Sequence, residues 1–379
     1  MTQRNGRDEE QVEVLVIGAG VVGLSTARAL ARRGARVVVL DRSLRGGEGS
    51  RAAAGVAVPS IRLLGDPVML DFTGEGLKVL AEDLAALAQT FPTHGLTRGR
   101  GILRPALDAN ARAALENQAR ERPEFLGRWV PTPELVSLEP ALRGTPLLGA
   151  FSQEEAYSVD ADSYLDALLH ELTALGVSVR MGEAVLQVSP EADGVRVRTD
   201  AARLRAQRLV VACGAWSGQL PGLELLPIRP LRGQLVSVFS PHFRLTRVLS
   251  GQVYLAPWRA GEVLVGATEE DAGFVCQSTP QGMLFLLATL AKLAPALRES
   301  RFTGAWAGLR ATTASGRPMI GAYPGQPRVF VASGHGGQGI LTGGVTGRML
   351  ADLMEGKGSA LTESFDPAKV AALSAPQAG

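Results

Sequence analysis

Three glycines near the start of the chain have the spacing of a turn that binds a phosphate group. A mostly apolar run at positions 12–17 leads into Gly18, Gly20 and Gly23, and a helix-forming segment follows. Gly18 permits a tight turn, Gly20 lets a pyrophosphate approach the main chain, and Gly23 lets the helix pack closely on the strand. The unpaired N–H groups that begin such a helix favour negative charge. The pattern therefore predicts a bound dinucleotide.

An acidic residue follows at the position where such a nucleotide presents a ribose. Asp41 ends a second run, residues 36–40, which is apolar after Arg36 and predicts a strand beside the first. Its carboxylate can accept a hydrogen bond from a ribose hydroxyl. A purely structural glycine turn in a βαβ unit is the alternative, but such a turn needs no acid here. The mostly small residues at 45–56 predict either a surface loop or main chain that lies against a flat ligand.

A second glycine-rich turn lies near the other end of the chain. Residues 329–332 predict a strand, 333–339 a loop and 340–354 a helix, so that main-chain N–H groups converge on one point. A reduced flavin carries negative charge near N1 and the C2 oxygen, which such a point would stabilise. Two turns of this kind in one chain favour a flavin over a helix start with only a structural role.

Two polar side chains are candidates for contact with a small substrate. Arg310 follows apolar and small residues at 306–309, and its guanidinium would either be paired structurally or hold a carboxylate through two hydrogen bonds. Tyr254 lies in a predicted strand and can share the same cleft. Taken alone, each residue is more often structural. Only their convergence on the flavin would give them a role in the reaction.

Other chemistries are not indicated by the sequence. The four histidines lack metal-ligand spacing and the two cysteines have no near partner, so neither a metal site nor a disulfide is expected. Residues 214–218 are not a nucleophile elbow, because Trp216 occupies the central position. Residues 269–271, all acidic, predict a solvated turn, with a role at the mouth of the substrate site as the alternative. A formal net charge of +2 without a long basic run argues against nucleic acid as a partner. The polar start and the short apolar runs predict a cytoplasmic protein without a membrane span.

The predicted helices and strands that position these residues indicate two interleaved domains. A chain of 379 residues is long enough to form two domains. Periodicity predicts helices at 22–33, 69–90, 106–122, 160–176, 283–293 and 340–354, and further strands at 177–180, 185–188, 195–198, 208–213, 234–240, 252–256 and 262–268. We expect residues 1–80, 151–226 and 319–379 to form a nucleotide-binding domain. Residues 81–150 and 227–318 would form a cap or substrate domain on an antiparallel sheet.

Together these motifs resemble those of the flavin-dependent glycine oxidases and D-amino-acid oxidases, in particular the glycine oxidases of thiazole biosynthesis. The resemblance covers nearly the whole chain, and the segments at 265–268 and 306–310 are its most specific parts. The other segments that carry it are residues 16–23, 52–55, 210–217, 269–270, 333–335 and 339–341. It implies an α/β fold in which a Rossmann-type FAD-binding domain is interleaved with an antiparallel-sheet substrate domain.

The resemblance also implies roles for particular residues. Asp41 would bind the adenosine ribose, Val185 would meet the adenine, and the segment His335 to Leu341 would donate N–H groups to the pyrimidine side of the flavin. The residues expected to contact FAD are Gly18, Gly20, Val21, Val22, Gly23, Asp41, Arg42, Gly49, Ser50, Ala54, Gly55, Val56, Val185, Gly214, His335, Gly336, Gly337, Gln338, Gly339, Ile340 and Leu341. Arg310 matches the arginine that binds the substrate carboxylate, and Tyr254 matches the active-site tyrosine.

The chain departs from the glycine oxidases at one position. Those enzymes place a second arginine two residues after the histidine of the last loop, where this chain has Gly337. The lost cation weakens the hold on a small carboxylate and leaves room for a larger substrate. This disfavours glycine itself as the preferred substrate.

The reaction implied is oxidative deamination of glycine, a small D-amino acid or an N-methyl amine. Hydride transfer from the deprotonated amine to flavin N5 would leave an imine, which water hydrolyses to an oxo acid and ammonia, and dioxygen would take the electrons to give hydrogen peroxide. No cysteine follows Cys276, so FAD is expected to be non-covalent, unlike in sarcosine-oxidase-like relatives. The alternatives are a dehydrogenase that reduces a quinone or carrier and a non-catalytic flavin-binding subunit. A homo-oligomer is possible.

Overall fold

The computed structural model describes residues 9–91, 95–224 and 226–374 of the chain. Its strands are β1 (Glu10–Ile17), β2 (Val37–Asp41), β3 (Val56–Ala57), β4 (Thr97–Ala106), β5 (Arg128–Pro131), β6 (Gly149–Val159), β7 (Ser178–Met181), β8 (Val185–Glu191), β9 (Gly194–Thr199), β10 (Arg203–Val211), β11 (Arg229–Phe239), β12 (Val248–Ser250), β13 (Tyr254–Pro257), β14 (Glu262–Gly266), β15 (Arg301–Thr312), β16 (Met319–Tyr323) and β17 (Gln326–Ser333). Its helices are α1 (Val21–Ala31), α2 (Glu48–Arg51), α3 (Pro67–Thr90), α4 (Ala109–Glu121), α5 (Pro123–Leu126), α6 (Thr132–Leu138), α7 (Ala161–Ala174), α8 (Pro280–Leu293), α9 (Gly339–Met354), α10 (Ala360–Ser364) and α11 (Pro367–Ser374). The first eight residues of the polar start, and His94 among the histidines, lie outside the described residues.

The first sheet is mainly parallel and has the strand order β16-β17-β10-β1-β2-β7. β1 pairs in parallel with β2 and β10, and β10 pairs in parallel with β17. Residues such as Leu15, Val39 and Val210 are fully buried, as expected of a parallel sheet that is covered on both faces. Because parallel strands end at the same edge, the turns that follow β1, β2 and β17 come together there. The hairpin β8–β9 extends the sheet antiparallel to β10.

The second sheet is mainly antiparallel and has the order β15-β11-β14-β13-β12-β4-β6-β3, with β5 beside β6. One face is covered by α8, whose Leu286 and Leu290 pack in one cluster with Val236 and Val265. The opposite face, which carries Leu235 and other apolar residues, packs against the segment that follows β2. This second face points towards the first sheet and supplies half of the site described below.

The chain passes between the sheets several times, as predicted, and the strands show where. The first sheet takes its strands from residues 10–41, 178–211 and 319–333, and the second from 56–57, 97–159 and 229–312. By hydrogen bonding, β3 and the whole of β6 belong to the second sheet. The domain boundaries given above stay a prediction.

The predicted elements are largely present, with differences that have local causes. The helix predicted at 106–122 begins at Ala109, because Ala106 ends β4 and the Asp108 side chain accepts a hydrogen bond from the Ala111 N–H at 2.8 Å. β4, β6 and β15 were not predicted. Among the described residues, no helix is long and apolar enough to cross a bilayer.

Two helices that pack against the first sheet, α1 and α9, lie in direct contact. The α9 residue Gly347 faces the main chain of α1, where a Cβ atom would stand 2.5 Å from the Ser25 oxygen. On the other side of α9, Gly344 approaches Asp83 of α3. The small residues let α9 lie close to α1, and this contact brings the starts of the two helices together.

Candidate active site

A cavity of about 710 Å³ lies between the two sheets, along the edge where β1, β2, β10 and β17 end. This volume is within the range of cofactor and ligand sites. One wall is formed by the turns of the first sheet and the other by the free face of the second. The predicted FAD-contact residues line this cavity with two exceptions, Gly23 and Leu341, which are taken up below.

The N-terminal glycine turn forms one end of the cavity. Gly18 has a φ of +111°, and a Cβ atom there would stand 2.3 Å from the Ala212 oxygen, so only glycine fits. α1 begins with Gly20 as its N-cap, without a side-chain cap and without an acidic residue in its first turn. The Ser50 hydroxyl accepts a hydrogen bond from the Val21 N–H at 3.0 Å. A phosphate at this point would meet helix N–H groups and a hydroxyl.

Asp41 lies beside this turn, as the sequence predicts. Its Oδ2 accepts a hydrogen bond from the Ala19 N–H at 2.7 Å and its Oδ1 accepts one from the Ser43 N–H at 2.8 Å. These bonds fix the orientation of the carboxylate, and each oxygen keeps a lone pair for a hydroxyl donor. The neighbouring Arg42 places its guanidinium 4.1 Å from the ring centre of Trp216.

The C-terminal glycine turn lies next to the N-terminal one. β17 ends at Ser333, a short 3₁₀ turn covers Gly336–Gln338, and α9 begins at Gly339 without a side-chain cap. A Cβ atom on Gly339 would stand 3.8 Å from Val21, at the start of α1. The two helix starts therefore converge on one cavity.

Two of the predicted contact residues, Gly23 and Leu341, do not line the cavity, and their contact with FAD stays a prediction. Gly23 faces the main chain of the first turn, where a Cβ atom would stand 1.9 Å from the Gly18 oxygen. Its role is the close helix–strand packing that the motif requires. Leu341 is 1% exposed, and its side chain packs in the apolar core.

His335 directs its ring into the protein. The ring Nε2 lies 2.9 Å from the Thr346 hydroxyl, and the ring centre is 6.4 Å from that of Phe72. Burial lowers the pKa of His335 to about 4, so the imidazole is neutral at neutral pH. It is therefore not a cation that could replace the arginine that is absent at Gly337.

This burial predicts an acid-sensitive contribution to stability. Since the ordinary pKa of histidine is 6.5 and that of folded His335 is about 4, the unfolded state binds more protons between these pH values. The contribution is present in full above pH 6.5 and is lost as the pH falls towards 4; it amounts to roughly 3 kcal/mol. His335→Gln should show a smaller fall in unfolding free energy over this range in urea titrations. His242→Gln, at an exposed position, should keep the wild-type profile, and equal slopes for all three proteins would contradict the prediction.

Arg310 and Tyr254 meet on the free face of the second sheet. The Arg310 side chain extends from β15 over β11, where a Cβ atom on Gly233 would stand 2.7 Å from its guanidinium carbon. Its Nη1 donates a hydrogen bond to the Thr268 oxygen at 2.9 Å. Burial raises the pKa of Tyr254 to about 12, while the Arg310 cation nearby acts in the opposite sense. Both residues line the cavity that contains the two glycine turns.

The acidic segment 269–271 is only partly the solvated turn that was predicted. Glu269 is exposed and pairs with Arg62 at 3.0 Å; both residues line the cavity. Glu270 instead forms an ion pair with Arg232 and accepts a hydrogen bond from the Gln234 side chain at 2.6 Å. The prediction was therefore wrong for Glu270, which fastens this loop to β11.

Several charged residues that line the cavity, Glu48, Arg62, Arg104 and Glu183, were missed, and Arg104 is the most deeply buried of them. Arg104 of β4 lines the cavity and is 2% exposed. In the sequence it stands within an apolar strand segment, as Arg310 does, and this signal could have drawn attention to it.

The arrangement fits a flavin dinucleotide on structural grounds. Two uncapped helix starts face one cavity, and an acid stands at the end of β2 beside the first of them. On the other wall, Gly308 of β15 lets the strand approach Ala52, where a Cβ atom would stand 2.7 Å from the Ala52 side chain. The Trp306 indole donates a hydrogen bond to the Ala52 oxygen at 3.0 Å, so β15 is tied to the loop that would flank the ring.

Comparisons with known proteins agree with this assignment. The family model described as "DAO: FAD dependent oxidoreductase" matches residues 13–353. The glycine oxidase of Pseudomonas aeruginosa is 31% identical over 372 residues, covering 91% of this chain and 95% of that protein. The bifunctional protein ThiO/ThiG of Nostoc sp. is 30% identical over 365 residues; the match covers 93% of this chain but 54% of that protein, so the chain spans about half of its length.

Solved structures of flavin oxidases have the same fold as this chain. The glycine oxidase from Geobacillus kaustophilus superposes with a TM-score of 0.86 at 25% identity, covering 98% of this chain and 100% of that one. The iminodiacetate oxidase from Chelativorans sp. has a TM-score of 0.83 at 26% identity, covering 94% and 99%. The chain therefore belongs to the DAO family of FAD-dependent oxidoreductases and is a flavoenzyme.

Proposed function

We propose that this protein is an amino-acid oxidase that holds the carboxylate of a small amino acid or amine on Arg310, beside a non-covalent FAD. The observation that carries the proposal is the position of Arg310. Its guanidinium lines the same cavity as both glycine turns and donates to a main-chain oxygen, which leaves N–H groups for a ligand. A carboxylate that binds there would lie beside the flavin site.

The cavity residues suggest how FAD would be held. The N–H groups at the start of α1 would bind the pyrophosphate, Asp41 the adenosine ribose, and Val185 would contact the adenine. Residues 49–56 on one side and 335–340 on the other would flank the ring system. The start of α9 would stabilise negative charge on the pyrimidine side of the ring. When bound, FAD supplies a hydride acceptor.

Arg310 and Tyr254 would orient the substrate. The guanidinium would bind the carboxylate, and Tyr254, whose pKa burial raises to about 12, would be a hydrogen-bond donor. With the carboxylate fixed at two points, the carbon that bears the amine can be held over the ring. The protein would then contribute positioning and electrostatics, and no protein base is required.

The position of Gly337 favours a substrate larger than glycine. A Cβ atom on Gly337 would stand 3.7 Å from the Arg310 Nε, so a side chain here would lie directly beside the carboxylate site. Its absence leaves that space to the substrate. We therefore favour small D-amino acids and N-substituted amines over glycine, with dioxygen as the electron acceptor.

The test is anaerobic reduction of the purified holoprotein with glycine, sarcosine, iminodiacetate and a set of D-amino acids. We expect a yellow protein that a member of this set bleaches, and one hydrogen peroxide per turnover once air is admitted. Acid precipitation should release the flavin into the supernatant. Turnover with a dye or quinone but without peroxide would indicate a dehydrogenase. A flavin that no substrate reduces would indicate a non-catalytic subunit, and a colourless protein that takes up no FAD would refute the proposal.

A further inference from the structure

The loop at residues 45–52, between β2 and β3, forms part of the cavity wall although little within it would hold its shape. Gly46 and Gly47 both have positive φ, and α2 has only four residues and no side-chain cap. Glycines lose more main-chain freedom on folding than other residues do. The loop nevertheless supplies Gly49 and Ser50 to the cavity. Its conformation must therefore be held by contacts with other parts of the protein.

Arg51 of α2 makes such contacts. Its Nε donates a hydrogen bond to the Gly46 main-chain oxygen at 3.1 Å, which closes the loop on itself. Its Nη1 donates to the Asp162 carboxylate at 2.8 Å and its Nη2 to that of Asp166 at 2.7 Å. These two carboxylates lie one turn apart on α7, and the Arg51 side chain between them is 12% exposed. Because Arg51 does not itself line the cavity, it can act on a ligand there only through the loop.

The position of this loop affects both walls of the cavity. On one side, the Ser50 hydroxyl accepts a hydrogen bond from the Val21 N–H at the start of α1. On the other side, a Cβ atom on Gly49 would stand 2.8 Å from the Leu309 oxygen, so the loop lies directly against β15. A displacement of α2 would therefore change its contacts with the helix start that faces the pyrophosphate and with the strand that carries Arg310.

Asp162 also connects the loop to the second sheet. Its Oδ1 accepts the hydrogen bond from Arg51, and its Oδ2 accepts one from the Arg259 Nη2 at 2.7 Å. Burial alone would raise the pKa of Asp162, but the hydrogen bonds from Arg259 and Arg51 hold this pKa below its ordinary value, so the carboxylate is ionised at neutral pH. Among the described residues, Asp166 pairs with Arg51 alone. The two carboxylates that hold Arg51 therefore differ in one respect, the contact with Arg259.

Arg259 lies in the turn between β13 and β14, on the sheet that carries the proposed substrate residues. β13 begins at Tyr254, and β14 pairs with it in antiparallel fashion. The turn includes Ala260 at a φ of +52°, a conformation that is unfavourable for a residue with a Cβ atom. Arg259 holds this turn, because its Nε and Nη2 donate to the fully buried Asp160 carboxylate at 2.9 and 3.0 Å. The turn is therefore anchored to the start of α7, the same helix that holds the loop.

We propose that Asp162 is a positioning residue: through Arg51 and Arg259 it holds the loop at residues 45–52 and the β13–β14 turn in one arrangement, so that FAD affinity depends on charges outside the cavity. A loop that these contacts order before binding loses less freedom when the cofactor binds, and affinity is higher for that reason. A single exposed ion pair contributes little, whereas a network of several partly buried charges can hold a segment. This inference rests on the placement of FAD beside residues 49–56 in the proposed function, and not on the identity of the substrate.

The test measures the Kd of FAD by flavin fluorescence as the whole chain, freed of its flavin, is titrated with FAD. Asp162→Asn and Arg51→Met should each raise this Kd about 10-fold or more, and Arg51→Lys should lie between wild type and Arg51→Met. Arg259→Met should raise it by about 3- to 10-fold, although Arg259 does not line the cavity. Combined with Asp162→Asn, Arg259→Met should add less than about twofold, because the connection through Asp162 is already broken.

The matched control is Arg33→Met. Arg33 also pairs with two carboxylates, Asp352 at 2.8 Å and Glu355 at 3.2 Å, but it does not line the cavity or contact the loop. Its FAD Kd should stay within about twofold of wild type, even if the Tm of the flavin-free protein falls. Asp166→Asn should raise the Kd less than Asp162→Asn does, because it leaves the contact with Arg259 in place. The Tm of each variant is measured without flavin, since a purely structural role would lower Tm and leave the Kd unchanged.

The outcomes separate this inference from the proposed function. A wild-type FAD Kd in Asp162→Asn or in Arg259→Met would overturn the role of Asp162 and leave the oxidase intact. Independent effects that multiply in the double variant would overturn it as well. If Asp162→Asn does not fold, Arg259→Met decides alone. A protein that binds FAD but is reduced by no substrate would end the oxidase proposal, and the Kd values would still decide the role of Asp162. A wild-type protein that binds no FAD would overturn both.

Discussion

Arg310→Ala is expected to lower kcat/KM for the preferred substrate by roughly 100- to 1,000-fold, mainly through KM. Truncation of a charged partner removes about 3–4 kcal/mol of binding, part of which is the cost of leaving the substrate carboxylate without its cation. Arg310→Lys should lie between wild type and alanine, because lysine keeps the charge but not the planar pair of donors. Steady-state kinetics and the FAD content of each variant give the measurement.

The matched control for Arg310→Ala lies on the same strand. Arg301, at the other end of β15, is exposed and stacks on Phe239 at 5.2 Å, and it does not line the cavity. Arg301→Ala should keep the wild-type KM. An unchanged KM in Arg310→Ala would mean that the substrate carboxylate binds elsewhere, and the orientation proposed for the substrate would be wrong.

Gly23→Ala should abolish tight FAD binding. A Cβ atom at this position would stand 1.9 Å from the Gly18 oxygen, which is main chain and has no freedom to move aside. α1 would have to shift away from β1, and the N–H groups at its start would no longer point towards the phosphate. We expect at least a 100-fold rise in the Kd for FAD and a loss of about 2–4 kcal/mol in unfolding free energy.

A second variant separates the effect of Gly23→Ala on FAD binding from the general effect of an added methyl group in a helix. Gly74, inside α3, has no atom within 4 Å of the position that a Cβ would take. Gly74→Ala should therefore stabilise the protein by about 0.5–1 kcal/mol and leave FAD binding unchanged. Flavin retention on gel filtration, circular dichroism of the apoprotein and urea unfolding provide the readouts. Wild-type FAD affinity in Gly23→Ala would show that close packing at this turn is not required.

The elements around the two glycine turns could be predicted closely from the sequence. The helix predicted at 22–33 is α1, Val21–Ala31, and the strand predicted at 36–40 is β2, Val37–Asp41. Residues close in sequence decide these elements: the apolar run defines the strand, and a glycine at positive φ turns the chain. The sequence also singled out Arg310, because an arginine among apolar and small residues needs a partner.

Two long strands could not be predicted from local pattern. β6 carries Glu154 and Glu155 in its middle, and most side chains of β15 are only half-buried, so neither has a regular alternation of apolar residues. Their conformation is held by pairing with β4 and β11, which are remote in the chain. Such pairing depends on the position of the partner strand and leaves little trace in the strand's own sequence.

The sequence by itself determined that the chain carries two glycine turns for a dinucleotide, an acid beside the first turn, and an arginine suited to a carboxylate. Only the tertiary structure decided that Gly339 meets Val21, that the His335 ring faces inward, that Glu270 is an ion-pair partner, and that the buried Arg104 lines the cavity. The reason is physical. Turn and helix geometry depend on neighbouring residues, whereas the burial and partners of a charged side chain depend on segments that are far apart in the chain and meet only in the fold.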